Sequence, residues 1–118
     1  MHILGEYIMN STMLIIRSSS SLREALRLCA AMLGMDELPL VVFIDEGVQC
    51  LLHSAIEDPS MSEYLQTISD LVGVYVLKES LTEQSIEFDS IDTALDVTTI
   101  DISGFTDLVV ECKTVATF

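Results

Sequence analysis

The sequence predicts a single-domain α/β protein: a three-layer sandwich in which a mostly parallel five-stranded sheet has helices on both faces. Short runs of consecutive apolar residues alternate along the chain with segments of helical periodicity, and this order is typical of a parallel sheet. The 118 residues give room for one domain, and an apolar content of 50% is ample for one core. No internal repeat, low-complexity stretch or linker divides the chain.

The N-terminal half predicts a strand, a helix and a second strand. An apolar run at residues 13–17 predicts the first strand. Apolar residues then recur at steps of three and four up to Gly34, and Ser21 with Glu24 has the spacing of a capping box, so a helix is expected here. The continuous apolar run at residues 38–44 predicts a strand that is covered on both faces.

The C-terminal half continues the alternation. Asp58-Pro59-Ser60 predicts a helix start with proline in the first turn, Tyr64 belongs to the apolar stripe of that helix, and the helix should end near Asp70. Residues 72–77 predict a third buried strand, which we place in the middle of the sheet. The remaining predictions are short helices at residues 48–53 and 78–84, strands at residues 97–100 and 114–118, and a helix at residues 102–112; residues 86–96 receive none.

The charge of the chain excludes several kinds of partner. A formal charge of −14, from 19 acidic and 5 basic residues, repels phosphate backbones and anionic membrane surfaces, so no direct nucleic-acid or membrane binding is expected. The mean hydropathy of +0.50 alongside so many carboxylates indicates that the remaining surface is apolar enough to form subunit interfaces.

The N-terminus and the longest apolar run bear on localisation. No apolar run approaches the roughly 18 residues that a membrane-spanning helix requires. Residues 1–11 lack the basic start and cleavage site of a signal peptide, and we predict them to be a mobile extension that precedes a domain at residues 12–118. The sequence therefore predicts a cytoplasmic protein.

The three cysteines have no spacing typical of a disulfide framework or a zinc site. Cys29 and Cys112 lie on the apolar stripes of their predicted helices, which indicates packing rather than chemistry. Neither His2 nor His53 has neighbours at metal-ligand spacing, so no metal and no cofactor is expected. We therefore expect three free thiols.

Function in parallel α/β sheets lies at the carboxyl ends of the strands. Three predicted loops occur there: residues 18–21, 45–49 and 77–80. These loops are where binding or catalytic residues are expected.

Three segments carry a family resemblance. Residues 43–52, Phe-Ile-Asp-Glu-Gly-Val-Gln-Cys-Leu-Leu, resemble the strand followed by D-G-V-x-x-L-L in the DsrE/DsrF/DsrH and TusD/TusC/TusB proteins. Residues 112–118 are similar to the final D-x-V-x-x-F strand of those proteins. Residues 74–81, a strand that leads into Ser80-Leu81, resemble the DsrF/TusC-like branch most closely. The resemblance covers residues 13–118, and the order of the segments is more specific than any one of them.

The resemblance implies an α/β subunit that forms homo-oligomers, or hetero-oligomers with related subunits, and passes sulfane sulfur as a cysteine persulfide to or from another protein. In the active branch the sulfur-carrying cysteine follows the third strand, where this chain has Leu77 and Lys78. A supporting, non-catalytic subunit is therefore expected. Its strand-end loops would contact neighbouring subunits through Asp45, Glu46, Gly47, Val48, Leu77 and Lys78.

Cys50 offers an alternative chemistry. It follows Gly47 within one turn, and His53 lies three residues further on, where an imidazolium on the same helix face would stabilise a thiolate. Glu46 opposes this by its negative charge. The commoner role of such a cysteine is that of a small buried hydrophobe beside Val48, and this interpretation is favoured.

The serine loop, residues 18–21, supports a third interpretation of function. Arg17 with Ser18, Ser19 and Ser20 at a strand-to-helix turn predicts an anion site, flavin or nucleotide phosphate included, that uses hydroxyls and helix N–H groups. Hydroxyls at such a turn are more often ordinary capping and turn residues, and this interpretation is favoured. A receiver-like or flavodoxin-like module is the alternative fold that the sequence brings to comparison with the DsrE/DsrF-like one.

Overall fold

The computed structural model describes residues 11–118. The strands are β1 (Thr12–Ile16), β2 (Leu40–Phe43), β3 (Val74–Leu77), β4 (Val97–Ile100) and β5 (Thr114–Thr117). The helices are α1 (Leu22–Gly34), α2 (Pro59–Val72), α3 (Lys78–Glu83) and α4 (Ile102–Glu111), with short 3₁₀ segments at Ser19–Ser21, Asp45–Leu51 and Phe88–Ser90. The predicted extension, residues 1–11, lies outside the described residues apart from Ser11, which is buried.

The five strands form one parallel sheet in the order β4-β3-β2-β1-β5, which confirms the predicted fold class. The prediction that β3 is the middle strand is wrong, because β2 lies there. The first three connections add β2, β3 and β4 successively on one side of β1. The last connection crosses the sheet and places β5 on the other side of β1.

The two faces of the sheet bury different sets of side chains, as the alternation along each strand requires. Leu14, Ile16 and Phe43 belong to the larger cluster, which includes apolar residues of α1 and α2. Met13 and Val42 belong to the smaller cluster on the opposite face, against which half-buried residues of α4 pack. The sheet therefore lies between two helical layers.

The start of α1 differs from the prediction. Ser21 makes no side-chain capping bond. Instead, the hydroxyl of Ser18 accepts a hydrogen bond from the amide of Ser20 at 3.2 Å, at the start of the 3₁₀ segment that leads into α1. The capping-box prediction was wrong because the chain begins to coil one turn earlier than its apolar periodicity indicates.

The start of α2 is the predicted one, since a carboxylate oxygen of Asp58 accepts a hydrogen bond from the amide of Ser60 at 2.9 Å. Tyr64 does not belong to a buried stripe, because it is 51% exposed. The short helix predicted at residues 48–53 is a 3₁₀ segment that begins three residues earlier, at Asp45, and ends at Leu51.

The segment without a prediction, residues 86–96, is irregular. It contains a 3₁₀ turn and is held by an antiparallel bridge between Leu52 and Ile91, with a further hydrogen bond from the amide of Asp92 to the carbonyl of Leu51 at 2.9 Å. Within residues 11–118, no helix combines the length and apolarity that a bilayer crossing requires.

Candidate functional site

Three chain segments meet at the carboxyl edge of the sheet, where the sequence predicted functional loops. Residues 17–21 follow β1, residues 45–51 follow β2, and α3 begins directly after β3. Hydrogen bonds that involve side chains connect these segments, so the edge is a preformed surface rather than three separate loops.

Gly47 brings the loop after β2 against the end of β1. Its amide donates to the carbonyl oxygens of Arg17 at 2.9 Å and of Ile44 at 3.0 Å, and the amide of Ile44 donates to the carbonyl of Ile16 at 3.0 Å. A β-carbon on Gly47 would lie 2.2 Å from the carbonyl oxygen of Ile16. Only glycine permits this approach between the two backbones.

The two acidic residues of the loop after β2 bind the loop after β1. Nε of Arg17 donates to Oδ2 of Asp45 at 2.8 Å, and Oε1 of Glu46 accepts hydrogen bonds from the amide and hydroxyl of Ser19 at 3.0 and 2.7 Å. The hydrogen bond from the amide of Ser19, and then the one from its hydroxyl, lower the pKa of Glu46. Glu46 is therefore ionised at neutral pH.

This geometry bears directly on the predicted anion site at Ser18, Ser19 and Ser20. The donors of Ser19 already bind the carboxylate of Glu46, and the hydroxyl oxygens of Ser18 and Ser20 lie 2.8 Å apart in a hydrogen bond. An external anion would have to displace Glu46 to reach the donors of Ser19.

Ser80 connects the loop after β2 to α3. Its hydroxyl is buried and accepts a hydrogen bond from the amide of Asp45 at 2.9 Å. Asp45 has a φ of +51°, in the left-handed region that aspartate tolerates better than most residues. Sequence reasoning did not assign this role to Ser80; its signal is a small hydroxyl residue at a strand end, where such side chains bind backbone groups.

The thiol of Cys50 lies in the core. It is 4% exposed, and burial first, then the charge of Glu46, raises its pKa to about 11. The side chain of His53 is 82% exposed, and its Nδ1 lies 3.7 Å from Oδ1 of Asp92. The sequence-predicted pair is thus divided between the core and the solvent, and the surroundings of Cys50 favour the neutral thiol.

The other two cysteines lie away from the carboxyl edge. Cys29 is 1% exposed on α1, and burial raises its pKa to about 11. Cys112 is half-buried between α4 and β5, and burial, followed by the charge of Glu111, raises its pKa. No cysteine of this chain has a lowered pKa.

The segment that follows β3 begins with a lysine and contains no cysteine. Leu77 is buried, Lys78 is exposed, and the described residues provide Lys78 with no ion pair. Oε1 of Glu79 is buried and lacks a hydrogen-bond partner within the described part of the chain. Val48 faces the core, so of the predicted contact residues Asp45, Glu46 and Lys78 are the ones that reach the surface.

Across residues 11–118, His, Cys, Asp and Glu side chains do not come together in any group of three or more that could hold a metal ion. The polar groups of the edge instead form hydrogen bonds with one another.

Comparisons with known proteins agree with this architecture. The model of the DsrE/DsrF-like family matches residues 10–118. The fold is similar to the crystal structure of the YchN protein from E. coli (TM-score 0.70, 18% identity, 92% of this chain and 99% of that one). It is also similar to MTH1491 from Methanobacterium thermoautotrophicum, a protein described as of unknown function (TM-score 0.64, 11% identity, again 92% and 99%). No curated protein sequence matches the chain significantly.

Proposed function

Because the chain belongs to the DsrE/DsrF-like family, we propose that it is a supporting, non-catalytic subunit of a sulfur-relay complex, of the DsrF/TusC-like kind. The observation that carries the proposal is the end of β3, where Leu77 and Lys78 occupy the place of the sulfur-carrying cysteine. The pathway served is sulfur oxidation or tRNA thiolation, and the site of action is the cytoplasm.

The thiols of this chain support a role without covalent chemistry. A pKa of about 11 leaves roughly one Cys50 thiol in ten thousand ionised at pH 7, about a hundredfold fewer than the ordinary value of 9.0 allows. Because the thiolate is the nucleophile in sulfur transfer, Cys50 is a poor acceptor in this fold. We assign the transfer step to a partner subunit that has a cysteine directly after its third strand.

The carboxyl edge supplies the contact surface in this proposal. Asp45, Glu46 and Lys78 reach the surface from loops that are fixed by Gly47 and Ser80, so little conformational freedom is lost when a partner binds. Homo-oligomers and hetero-oligomers with related subunits both fit such a surface. Neither nucleic acid nor membrane is a partner in this proposal.

The test is sulfur loading with inorganic polysulfide at neutral pH, followed by peptide mass spectrometry. A thiolate attacks a sulfur of the polysulfide, forms a cysteine persulfide and releases a polysulfide shorter by one sulfur. We expect no added sulfur on Cys50 in the folded chain, whereas half-buried Cys112 serves as the internal reference for a more accessible thiol.

The second arm uses the assembled complex with a related subunit from the same organism that has the third-strand cysteine. Cys50→Ser should leave sulfur transfer by that complex unchanged. A sulfur adduct on Cys50, or a loss of transfer by a folded Cys50→Ser complex, would instead establish the persulfide-carrying alternative.

A further inference from the structure

A groove of about 320 Å³ lies beside the start of α3, at the carboxyl end of β4. Its walls are formed by Lys78, Leu81, Thr82, Ile86, Phe88 and Thr99. This volume is at the lower limit of the roughly 300–1,000 Å³ typical of small-molecule sites. The groove therefore suits one or two protruding side chains better than a flavin or a dinucleotide.

The groove differs from the rest of the surface in charge. No carboxylate lines it, although the chain has 19 acidic and 5 basic residues. Four other surface cavities of the described residues each have at least one carboxylate in their walls. An anionic group can therefore approach this groove with less repulsion than it meets at those cavities.

Lys78 provides the positive charge of the groove. Arg17 and Arg23 are already paired with Asp45 and Asp58 at 2.8 and 3.1 Å, whereas Lys78 forms no ion pair with any residue from 11 to 118. Its ammonium is therefore available to an incoming anion.

The rest of the groove is apolar. Leu81 is buried in the core, Ile86 packs against that core, and the Phe88 side chain remains 49% exposed. Aromatic side chains, phenylalanine included, are enriched in protein interfaces relative to the rest of the surface. The groove thus offers one cation next to an apolar wall.

We propose that this groove receives a loop of the sulfur-carrying partner subunit, with the anionic sulfur at Lys78 and an adjacent apolar side chain against Phe88. The proposal rests on the proposed function and identifies the partner surface by its chemistry. An ammonium close to a thiol lowers the pKa of that thiol. Lys78 therefore increases the thiolate fraction of a sulfur that the partner contributes, at the place where this chain has no sulfur of its own.

The first experiment measures the pKa of the partner's cysteine in the complex. The partner is a related subunit from the same organism with a cysteine directly after its third strand. The readout is the ultraviolet absorbance of the thiolate from about pH 5 to about pH 9. Cys29 and Cys50 stay protonated in this range, because the pKa of each is about 11. A partner in which that cysteine is serine gives the blank.

The variants separate charge from shape. Lys78→Met keeps a long side chain without the charge, Lys78→Arg keeps the charge, and Lys113→Met removes a lysine on the segment that leads into β5. Lys78→Met should raise the pKa of the partner's cysteine by about 0.5–1 unit and reduce its thiolate about threefold to tenfold at pH 7. Lys78→Arg and Lys113→Met should match the wild type.

The second experiment measures affinity by calorimetry with the same partner. Phe88→Ala should weaken binding about tenfold, and Tyr64→Ala, which truncates an aromatic side chain of similar exposure (51%) on α2, should change it less than about twofold. If Phe88 matters and Lys78 does not change the pKa, the assignment of the sulfur to this groove is overturned.

If a complex forms and neither residue has an effect, the groove proposal fails while the proposed function stands. If no related subunit binds at all, the proposed function fails, and the groove proposal with it.

Discussion

Gly47→Ala should destabilise the protein far more than a typical glycine-to-alanine change. The new methyl carbon would lie 2.2 Å from the carbonyl oxygen of Ile16, 2.9 Å from its carbonyl carbon and 3.2 Å from that of Arg17. All three are backbone atoms at the end of β1, so no side-chain rotation relieves the contact. The loop after β2 must move away from β1 by about 1 Å to reach ordinary contact distance.

The movement removes two backbone hydrogen bonds, from Gly47 to Arg17 and from Ile44 to Ile16. Overpacking costs about 1–3 kcal/mol, and each lost bond about 1 kcal/mol, so we expect a loss of roughly 3–5 kcal/mol. Urea unfolding followed by circular dichroism measures it. A loss of this size is a large fraction of the stability of a typical domain, about 5–15 kcal/mol.

Gly34→Ala is the matched control, because a β-carbon there meets nothing within 4 Å. It should be neutral or stabilising by up to about 1 kcal/mol. An unchanged urea midpoint for Gly47→Ala would refute the close packing of the loop on β1, and with it the view that the carboxyl edge is preformed.

Three further predictions concern ionisation and capping. The pKa of Cys50 rises from 9.0 to about 11 on folding, so the neutral thiol stabilises the folded state below pH 9. The free energy of unfolding should therefore fall by up to about 2 kcal/mol as pH rises from 9 towards 11. Cys50→Ala should make that decline less steep in urea unfolding at each pH. Ser19→Ala should raise the pKa of Glu46 towards its usual value, because one of two donors is lost, and carboxyl NMR titration would show it; an unchanged titration would contradict the hydrogen bond. Asp58→Ala should lower the urea midpoint more than Asp58→Asn. Asparagine loses the charge opposite Arg23 but keeps an acceptor for the amide of Ser60, whereas alanine loses both. Equal midpoints would show that the cap contributes nothing to stability.

Much of the fold could be predicted because the residue patterns that specify its strands and helices are local in the sequence. Continuous apolar runs at β2 and β3 and the stripe on α1 are patterns that only burial between layers explains, and the structure has those elements within two or three residues of the expected bounds. The strand order was less accessible. Adjacent parallel strands of similar composition do not encode their neighbours, so β3 could not be distinguished from β2 as the middle strand.

The candidate site was predictable in position and not in detail. The rule that loops at the carboxyl ends of parallel strands meet places residues 18–21, 45–49 and 77–80 together. The pairing of Ser19 with Glu46 depends on two residues that are 27 positions apart, and the chain between them gives no sign of the contact. The groove wall at Ile86 and Phe88 lies in an irregular segment without periodicity, which is why no sequence pattern indicated it.

The hydrogen bonds of the carboxyl edge indicate which part of it is available to a partner. Arg17 and Asp45 bind each other, and so do Ser19 and Glu46, so these side chains are already held in place when a partner contacts them. At the start of α3 the opposite holds, since Lys78 has no ion pair with the described residues and Oε1 of Glu79 has no donor among them. In the proposed complex, Lys78 at the end of β3, next to the groove, is therefore the charged group that is available to a partner.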